Sequence, residues 1–276
     1  MSFYTSLSGL KNAQTSLNVI SHNIANAETG GFKKSRVEFS DIVAGSAFTN
    51  PKMIVGIGST VAAINQNFSI GPVEQTGSAL DIAISGDGFF EIANSATGDT
   101  LFTRNGAFTT DDQGFIHDGT NNRLQIFAPP VPPATTIDPA TAPRIDAQLP
   151  AFNTATPPTA FAGVTIAGDG TLTASYADGS NTVIGRVALS SFTAPTGLRQ
   201  VGSSNWQVTG LSGAPEYGLP SAGNYGELMS GALERSNVDL ADELVGLITA
   251  QRYFQANAKA IDTATQLSQT VLNLRS

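Results

Sequence analysis

The sequence predicts an α+β protein with paired, coiled-coil-like helices at its two ends and a central all-β domain of antiparallel, sandwich- or barrel-like strands. At both ends, apolar residues recur at alternating steps of three and four, the spacing of one helix face. Between the ends, short segments of alternating apolar and polar residues are separated by glycine turns. Nine of the fourteen prolines fall between residues 129 and 158, where they interrupt this β pattern.

The amino-terminal helix is predicted within residues 1–30. Its apolar seam consists of Phe3, Leu7, Leu10, Leu17 and Ile24. Gly30 and Gly31 follow the last seam residue, and glycine is the residue type that most often ends a helix. The spacing and the stop signal therefore agree.

The carboxy-terminal helix is predicted within residues 237–276. Its apolar seam consists of Leu240, Leu244, Leu247, Phe254, Ile261 and Leu272. Ser236 or Asn237 is suited to cap its first turn, and Asp242 lies where the helix dipole favours an anion. A helix of roughly 35 residues extends about 50 Å and needs a partner along its seam. Periodicity alone leaves two partners open, namely the rest of the same chain or another subunit.

The middle of the chain is predicted to form a connector followed by a β domain. Residues 31–72 are rich in Gly, Ser and Asn and suggest an extended connector with short strands. Residues 73–128 and 160–226 carry the strand pattern, with a hairpin turn at Gly168-Asp169-Gly170. Residues 129–159 form a proline-rich linker between the two parts of the β domain.

Composition excludes several classes of function. The net charge of −8 and the pI of about 4.6 argue against nucleic acid or an anionic membrane as the main partner. The absence of cysteine removes disulfides and thiol chemistry. No run of 18 apolar residues is present, and the first residues lack the pattern of a secretory signal, so we expect no membrane insertion and no Sec-type export.

No catalytic, cofactor or metal site is expected. The two histidines, His22 and His117, are far apart in sequence and have no acidic partners at metal-ligand spacing. Gly86-Asp87-Gly88 is an incomplete dinucleotide motif and is typical of a turn. Asp111-Asp112-Gln113-Gly114 lacks the length and the closing Glu of a calcium loop. These patterns do not favour an enzyme.

Three parts of the sequence resemble the axial (rod and hook) proteins of the bacterial flagellum. The matching segments are Ser8–Leu10, Leu17–Asn26 and Thr29–Lys33 at the amino terminus, Thr76–Phe90 and Phe102–Phe108 in the middle, and Ser230–Leu240 and Ala250–Lys259 near the carboxy terminus. Within the family, Val187–Phe192, Trp206 and Gln255–Lys259 are most similar to the hook branch. Many hook proteins have an outer β domain where this chain has residues 129–159, so the resemblance implies a short form with a reduced insertion. The chain length is instead close to that of distal-rod subunits.

The resemblance implies a structural function. It suggests a subunit that polymerises through its terminal helices into the curved hook tube, which carries torque from rod to filament. It also implies contacts with distal-rod, hook–filament junction and hook-cap proteins, and export through the flagellar type III channel to an extracellular position. The alternative within the family is the straight distal rod of the basal body. A secreted β-domain adhesin with a helical stalk is a more distant alternative.

Overall fold

The computed structural model describes residues 2–44, 55–129, 137–139, 141–153 and 159–273. The chain divides into two compact units. Unit 1 contains Met1–Ala27, Lys34–Asn67 and Val238–Ser276, and unit 2 contains Glu28–Lys33 and Phe68–Asn237. Among the described residues, no helix is long and apolar enough to cross a membrane.

Unit 1 consists of two helices and a two-stranded ribbon. Its elements are α1 (Ser2–Ala25), β1 (Ser35–Ala44), β2 (Val55–Gln66) and α2 (Leu240–Asn273). The two strands are antiparallel and pair from Ser35 opposite Gln66 to Ala44 opposite Val55. The sequence predicted a connector with short strands here, whereas the structure has strands of 10 and 12 residues that belong to the helical unit.

The two helices are antiparallel neighbours. Gly9 of α1 lies beside Asn257 of α2, and Ile20 lies beside Gly246. A Cβ added to Gly9 would lie 2.6 Å from Asn257 Oδ1, so the helices approach closely at this glycine. Small and polar residues thus form part of the helix contact, which an apolar coiled-coil seam does not predict. Coiled-coil pairing stays a prediction.

The α2 helix begins at Leu240 and is capped by Asp239. The Asp239 carboxylate accepts hydrogen bonds from the backbone N–H groups of Ala241, at 2.8 Å, and Asp242, at 3.3 Å. The sequence suggested Ser236 or Asn237 for this role. Both lie too far upstream, because an N-cap side chain reaches only the second or third residue of its helix.

Unit 2 is built from seventeen described strands. They are β3 (Val73–Gln75), β4 (Ile82–Ser85), β5 (Phe89–Asn94), β6 (Thr100–Thr103), β7 (Thr109–Thr110), β8 (Ile116–His117), β9 (Asn122–Phe127), β10 (Arg144–Asp146), β11 (Phe161–Ile166), β12 (Thr171–Tyr176), β13 (Asn181–Val187), β14 (Leu189–Ser191), β15 (Arg199–Gly202), β16 (Asn205–Gln207), β17 (Glu216–Gly218), β18 (Glu227–Ser230) and β19 (Ala232–Glu234). The main sheet follows the order β11-β12-β13-β9-β5-β6-β16-β15, and all its strand pairs are antiparallel. The pairs β18–β4 and β19–β3 lie outside it.

These elements confirm the α+β class. The main sheet is open from β11 to β15, so the described strands do not form the closed barrel that the sequence left as one possibility. One apolar cluster of unit 2 is centred on Phe90, Ile92 and Leu124, and a second surrounds the fully buried Trp206. The described part of the proline-rich segment contributes β10, which pairs with β9. Residues 130–136, 140 and 154–158 of that segment lie outside the described residues.

Candidate assembly surface

Helix α2 has one covered face and one exposed apolar stripe. Along the covered face, Ala250 is buried and Leu247, Phe254 and Ile261 are half-buried, at steps of three and four. The exposed stripe, named here the α2 stripe, consists of Leu240, Leu244, Val245 and Ile248, with exposed fractions of 45%, 50%, 66% and 50%.

The predicted α2 seam is therefore divided between these two surfaces. Leu247, Phe254 and Ile261 lie on the covered face, whereas Leu240 and Leu244 lie in the α2 stripe. Nothing is described for the side chain of Leu272. Leu244 and Leu247 are about 60° apart around the helix at 3.6 residues per turn, so one apolar pattern can serve two surfaces.

The predicted α1 seam lies at the edge of the covered face of its helix. Leu7, Leu10, Leu17 and Ile24 are half-buried, and Phe3 is 42% exposed. The buried positions of α1 are instead Ala13 and Asn23. The α1 seam thus retains apolar surface that no other part of the described unit covers completely.

The β1–β2 ribbon also exposes apolar side chains. These residues are Phe39, Ile42, Val43, Val55, Ile57 and Ile64, each exposed by 39–55%. Val43 lies opposite Gly56 and Ile42 opposite Gly58, so no side chain from the paired strand covers them at these positions. Exposed apolar groups that cluster in this way are typical of interaction surfaces.

One surface alone provides limited binding energy. Full burial of a Leu or Ile is worth about 1.5–3 kcal/mol, so the exposed half of each side chain contributes about 1 kcal/mol. Four such residues in the α2 stripe contribute about 4 kcal/mol of gross burial energy, which at best offsets the translational and rotational freedom that is lost when two chains associate. Tight association would have to use the α2 stripe and the ribbon together.

Asn23 joins three elements of unit 1. Its amide donates to Ser35 O at 2.9 Å, and its Oδ1 accepts from Ser35 N at the same distance. The amide also donates to Glu243 Oε2, at 3.3 Å. Asn23 is only 2% exposed and thereby links α1 to the start of β1 and to α2. The seam pattern did not reveal this residue, because Asn is usually found at the surface.

A second contact holds the ribbon against α1. Asn12 Nδ2 donates to Ser59 Oγ at 2.8 Å. The neighbouring Gly58 has a φ of +134°, and a Cβ there would lie 2.5 Å from Ser8 Oγ. Only glycine allows this backbone conformation at this separation.

A cavity of about 560 Å³ opens between α1, β1 and α2 within unit 1. Val19, Ile20 and Val37 line it, with basic Lys34 and Arg36 and acidic Asp242 and Glu243. Its lining therefore combines apolar side chains with charges of both signs. In the part of the chain that the structure describes, no group of three potential metal ligands occurs. His22 lies in unit 1 and His117 in unit 2.

Unit 1 thus combines a helix pair, a ribbon that packs on α1 and several exposed apolar faces, an arrangement typical of proteins that act through contact surfaces. Family models match most of the chain. "Flagella basal body rod protein" matches residues 3–33, "Flagellar hook protein FlgE/F/G D1 domain" matches residues 83–174, and "Flagellar basal body rod FlgEFG protein C-terminal" matches residues 229–274. The chain belongs to this family of flagellar rod and hook proteins. Membership leaves the alternative of a secreted adhesin without support.

Individual relatives come from both branches of the family. The flagellar basal-body rod protein FlgG of Bacillus subtilis is 37% identical, over 99% of this chain and 98% of its own length. FlgG of Agrobacterium fabrum is 32% identical, over 95% of each chain. The flagellar hook protein FlgE of Salmonella typhimurium is 28% identical over all of both chains, in an alignment of 411 residues.

Among solved structures, the hook protein FlgE2 of Helicobacter pylori matches at 14% identity and a TM-score of 0.21. That match covers 71% of this chain and 42% of the other, and it is too weak to support a conclusion about the fold.

Proposed function

We propose that this protein is a subunit of the flagellar axial tube that assembles with copies of itself through unit 1. The observation that carries the proposal is the exposed apolar surface of unit 1, namely the α2 stripe and the ribbon residues around Phe39 and Val43. In a polymer, neighbouring copies would cover these groups. Membership in the rod and hook family supports the same role.

The particular tube we propose is the hook. The sequence Gln255-Ala-Asn-Ala-Lys259 and the segment Val187–Phe192 resemble hook proteins. Unit 1 would then form permanent inner contacts, because it carries more of the exposed large apolar side chains than the larger unit 2 does. The polar and glycine-rich surface of unit 2 would form weaker contacts that shift as the tube bends while it turns.

The distal rod is the second candidate. Two observations favour it, namely the higher identity to FlgG proteins and FlgG alignments of 287 and 278 residues, which are close to the length of this chain. The FlgE alignment spans 411 residues, against 276 in this chain, so hook relatives carry additional sequence. A straight, rigid tube would follow from contacts that do not shift.

Electron microscopy of the concentrated, purified protein tests both parts of the proposal. Tubular polymers are the expected result, and curved tubes support the hook. Straight tubes support the distal rod. A protein that stays monomeric at millimolar concentration contradicts assembly through unit 1.

Partners and location follow from the same proposal. Distal-rod proteins, hook–filament junction proteins and the hook cap would contact the ends of the polymer. The export apparatus would pass the chain through the flagellar type III channel to its extracellular position. Co-sedimentation of the polymer with each of these proteins checks the contacts one at a time.

A further inference from the structure

Three charged side chains are buried together in unit 2. Lys33, Arg104 and Glu234 are 0%, 3% and 1% exposed, and they are named here the charge hub. Lys33 Nζ lies 2.5 Å from Glu234 Oε1, and Arg104 Nη1 lies 3.3 Å from Glu234 Oε2. One carboxylate therefore stands between two cations and uses both of its oxygens.

The charge hub also binds backbone groups. Glu234 Oε1 accepts a hydrogen bond from the N–H of Gly71 at 2.9 Å, and Lys33 Nζ donates to the carbonyl of Ser69 at 2.7 Å. The backbone carbonyl of Glu234 accepts from Gly31 N at 2.8 Å. Glu234 thus contacts two other segments of the chain directly.

These segments are the ones that lead from unit 2 into unit 1. The chain passes between the units after Ala27, Lys33, Asn67 and Asn237. Gly31, Lys33, Gly71 and Glu234 each lie within four residues of one of these passages. A single residue, Glu234, therefore contacts the chain segments next to all four of these passages.

The glycines of the hub allow no larger residue. Gly31 has a φ of +65°, and a Cβ there would lie 2.5 Å from the backbone N of Asn105. A Cβ on Gly71 would collide with the carbonyl oxygen of Arg235. The chain around the charge hub is thus closely packed at the level of the backbone within unit 2.

Stability alone does not account for buried charges at this place. Burial lowers the pKa of the Lys33 ammonium, although the neighbouring Glu234 raises it. Apolar residues of similar volume often replace a buried ion pair with no loss of stability. An ion pair with further hydrogen bonds does require one geometry of its partners, so the charge hub is suited to fix the segments that it joins.

We propose that Glu234 is a positioning residue for assembly, which holds the four passages in the one arrangement from which the elements of unit 1 can join a polymer. This inference rests on the proposed function. It identifies the residue that makes the chain competent to assemble, although Glu234 itself lies in no contact surface.

The test compares Glu234→Gln with a matched control, Glu91→Gln, in the full chain. Glu91 is also 2% exposed and pairs with an arginine, since its Oε2 lies 2.9 Å from Arg144 Nε, but it does not contact the passages. We expect Glu234→Gln to raise amide hydrogen exchange at Gly31 and Gly71 at least tenfold. We also expect it to raise the concentration needed for polymerisation at least tenfold, whereas Glu91→Gln leaves both values within twofold of wild type.

A second variant protects the test against a simple folding defect. Lys33→Met, Arg104→Met and Glu234→Leu combined leave no unpaired charge in the hub but remove its bonds to Gly71 and Ser69, so this triple variant should fold and still assemble poorly. A folded Glu234→Gln or triple variant that polymerises like wild type overturns the inference and leaves the proposed function standing. A wild-type protein that forms no polymer contradicts the proposed function itself.

Discussion

At the scale of single residues, unit 1 contains a buried polar group that the predicted seam does not include. Asn23 is buried and forms hydrogen bonds with both backbone groups of Ser35. Asn23→Ala would leave these groups without a partner and should lower the free energy of unfolding of unit 1 by about 2–3 kcal/mol.

Hydrogen exchange at Ser35 and thermal unfolding measure this loss. Asn18→Ala, at an exposed position of the same helix, is the matched control and should change stability by less than about 0.5 kcal/mol. Equal stability of the two variants would show that the Asn23 bonds contribute nothing.

Asp118 makes unit 2 sensitive to acid. Burial raises the pKa of its carboxyl, but hydrogen bonds from Asn122 and Thr120 outweigh burial and hold the pKa below its ordinary value of 3.8. A carboxyl with a depressed pKa stabilises the fold at pH above that ordinary value. This contribution is lost as the pH falls through the depressed pKa of the folded chain.

Asp118→Asn should therefore destabilise unit 2 at pH 7 by about 2 kcal/mol, because its amide group would face the Asn122 amide, another donor. The difference between variant and wild type should shrink as the pH falls below 3.8. Denaturant titrations from pH 7 to pH 2 check this, with Asp112→Asn at an exposed turn as the control. A constant difference across that range would contradict the role of the carboxylate charge.

At the scale of elements, two glycines at the helix contact should respond in opposite ways. A Cβ on Gly246 would meet only Ile20 Cδ1, at an ordinary distance of 3.5 Å. Gly246→Ala should stabilise α2 by up to about 1 kcal/mol, because alanine favours a helix. Gly9→Val should destabilise the helix pair, because its side chain would collide with Asn257. Thermal unfolding followed at 222 nm measures both, and destabilisation by Gly246→Ala would contradict the described packing.

The elements also show which features a sequence can predict. Apolar spacing located both helices, because a period of 3.6 residues is local information. It could not separate Leu244 from Leu247, since both are apolar and only packing decides which one is covered. The ribbon was predicted as a connector because residues 31–72 are rich in Gly, Ser and Asn, and both Gly and Asn are uncommon in strands.

Buried polar groups were the other feature that sequence could not predict. Lys33 belongs to a residue type that is rarely buried, and its partner Glu234 lies 201 residues away along the chain. The charge hub forms because segments that are distant in sequence come into contact in the folded chain. A local sequence pattern contains no information about such long-range contacts.

At the scale of the whole molecule, the two units differ in what they leave exposed. Unit 1 leaves the α2 stripe and much of the ribbon uncovered, whereas unit 2 encloses large apolar clusters around Phe90 and Trp206. The central claim is that the exposed surfaces of unit 1 drive assembly. A charge placed within the α2 stripe should therefore block assembly without unfolding unit 2.

Sedimentation of polymer from Leu244→Asp tests this claim most directly, with Ala260→Asp as the control. Leu244 is 50% exposed within the α2 stripe, and Ala260 is an exposed residue of the same helix outside the stripe. An aspartate buried at each contact should cost about 3 kcal/mol, which raises the concentration needed for assembly by roughly a hundredfold. The account predicts this rise for Leu244→Asp alone, with unchanged fluorescence of Trp206, the single tryptophan of the sequence and a buried residue of unit 2. Polymerisation of Leu244→Asp at the wild-type concentration would contradict assembly through the α2 stripe.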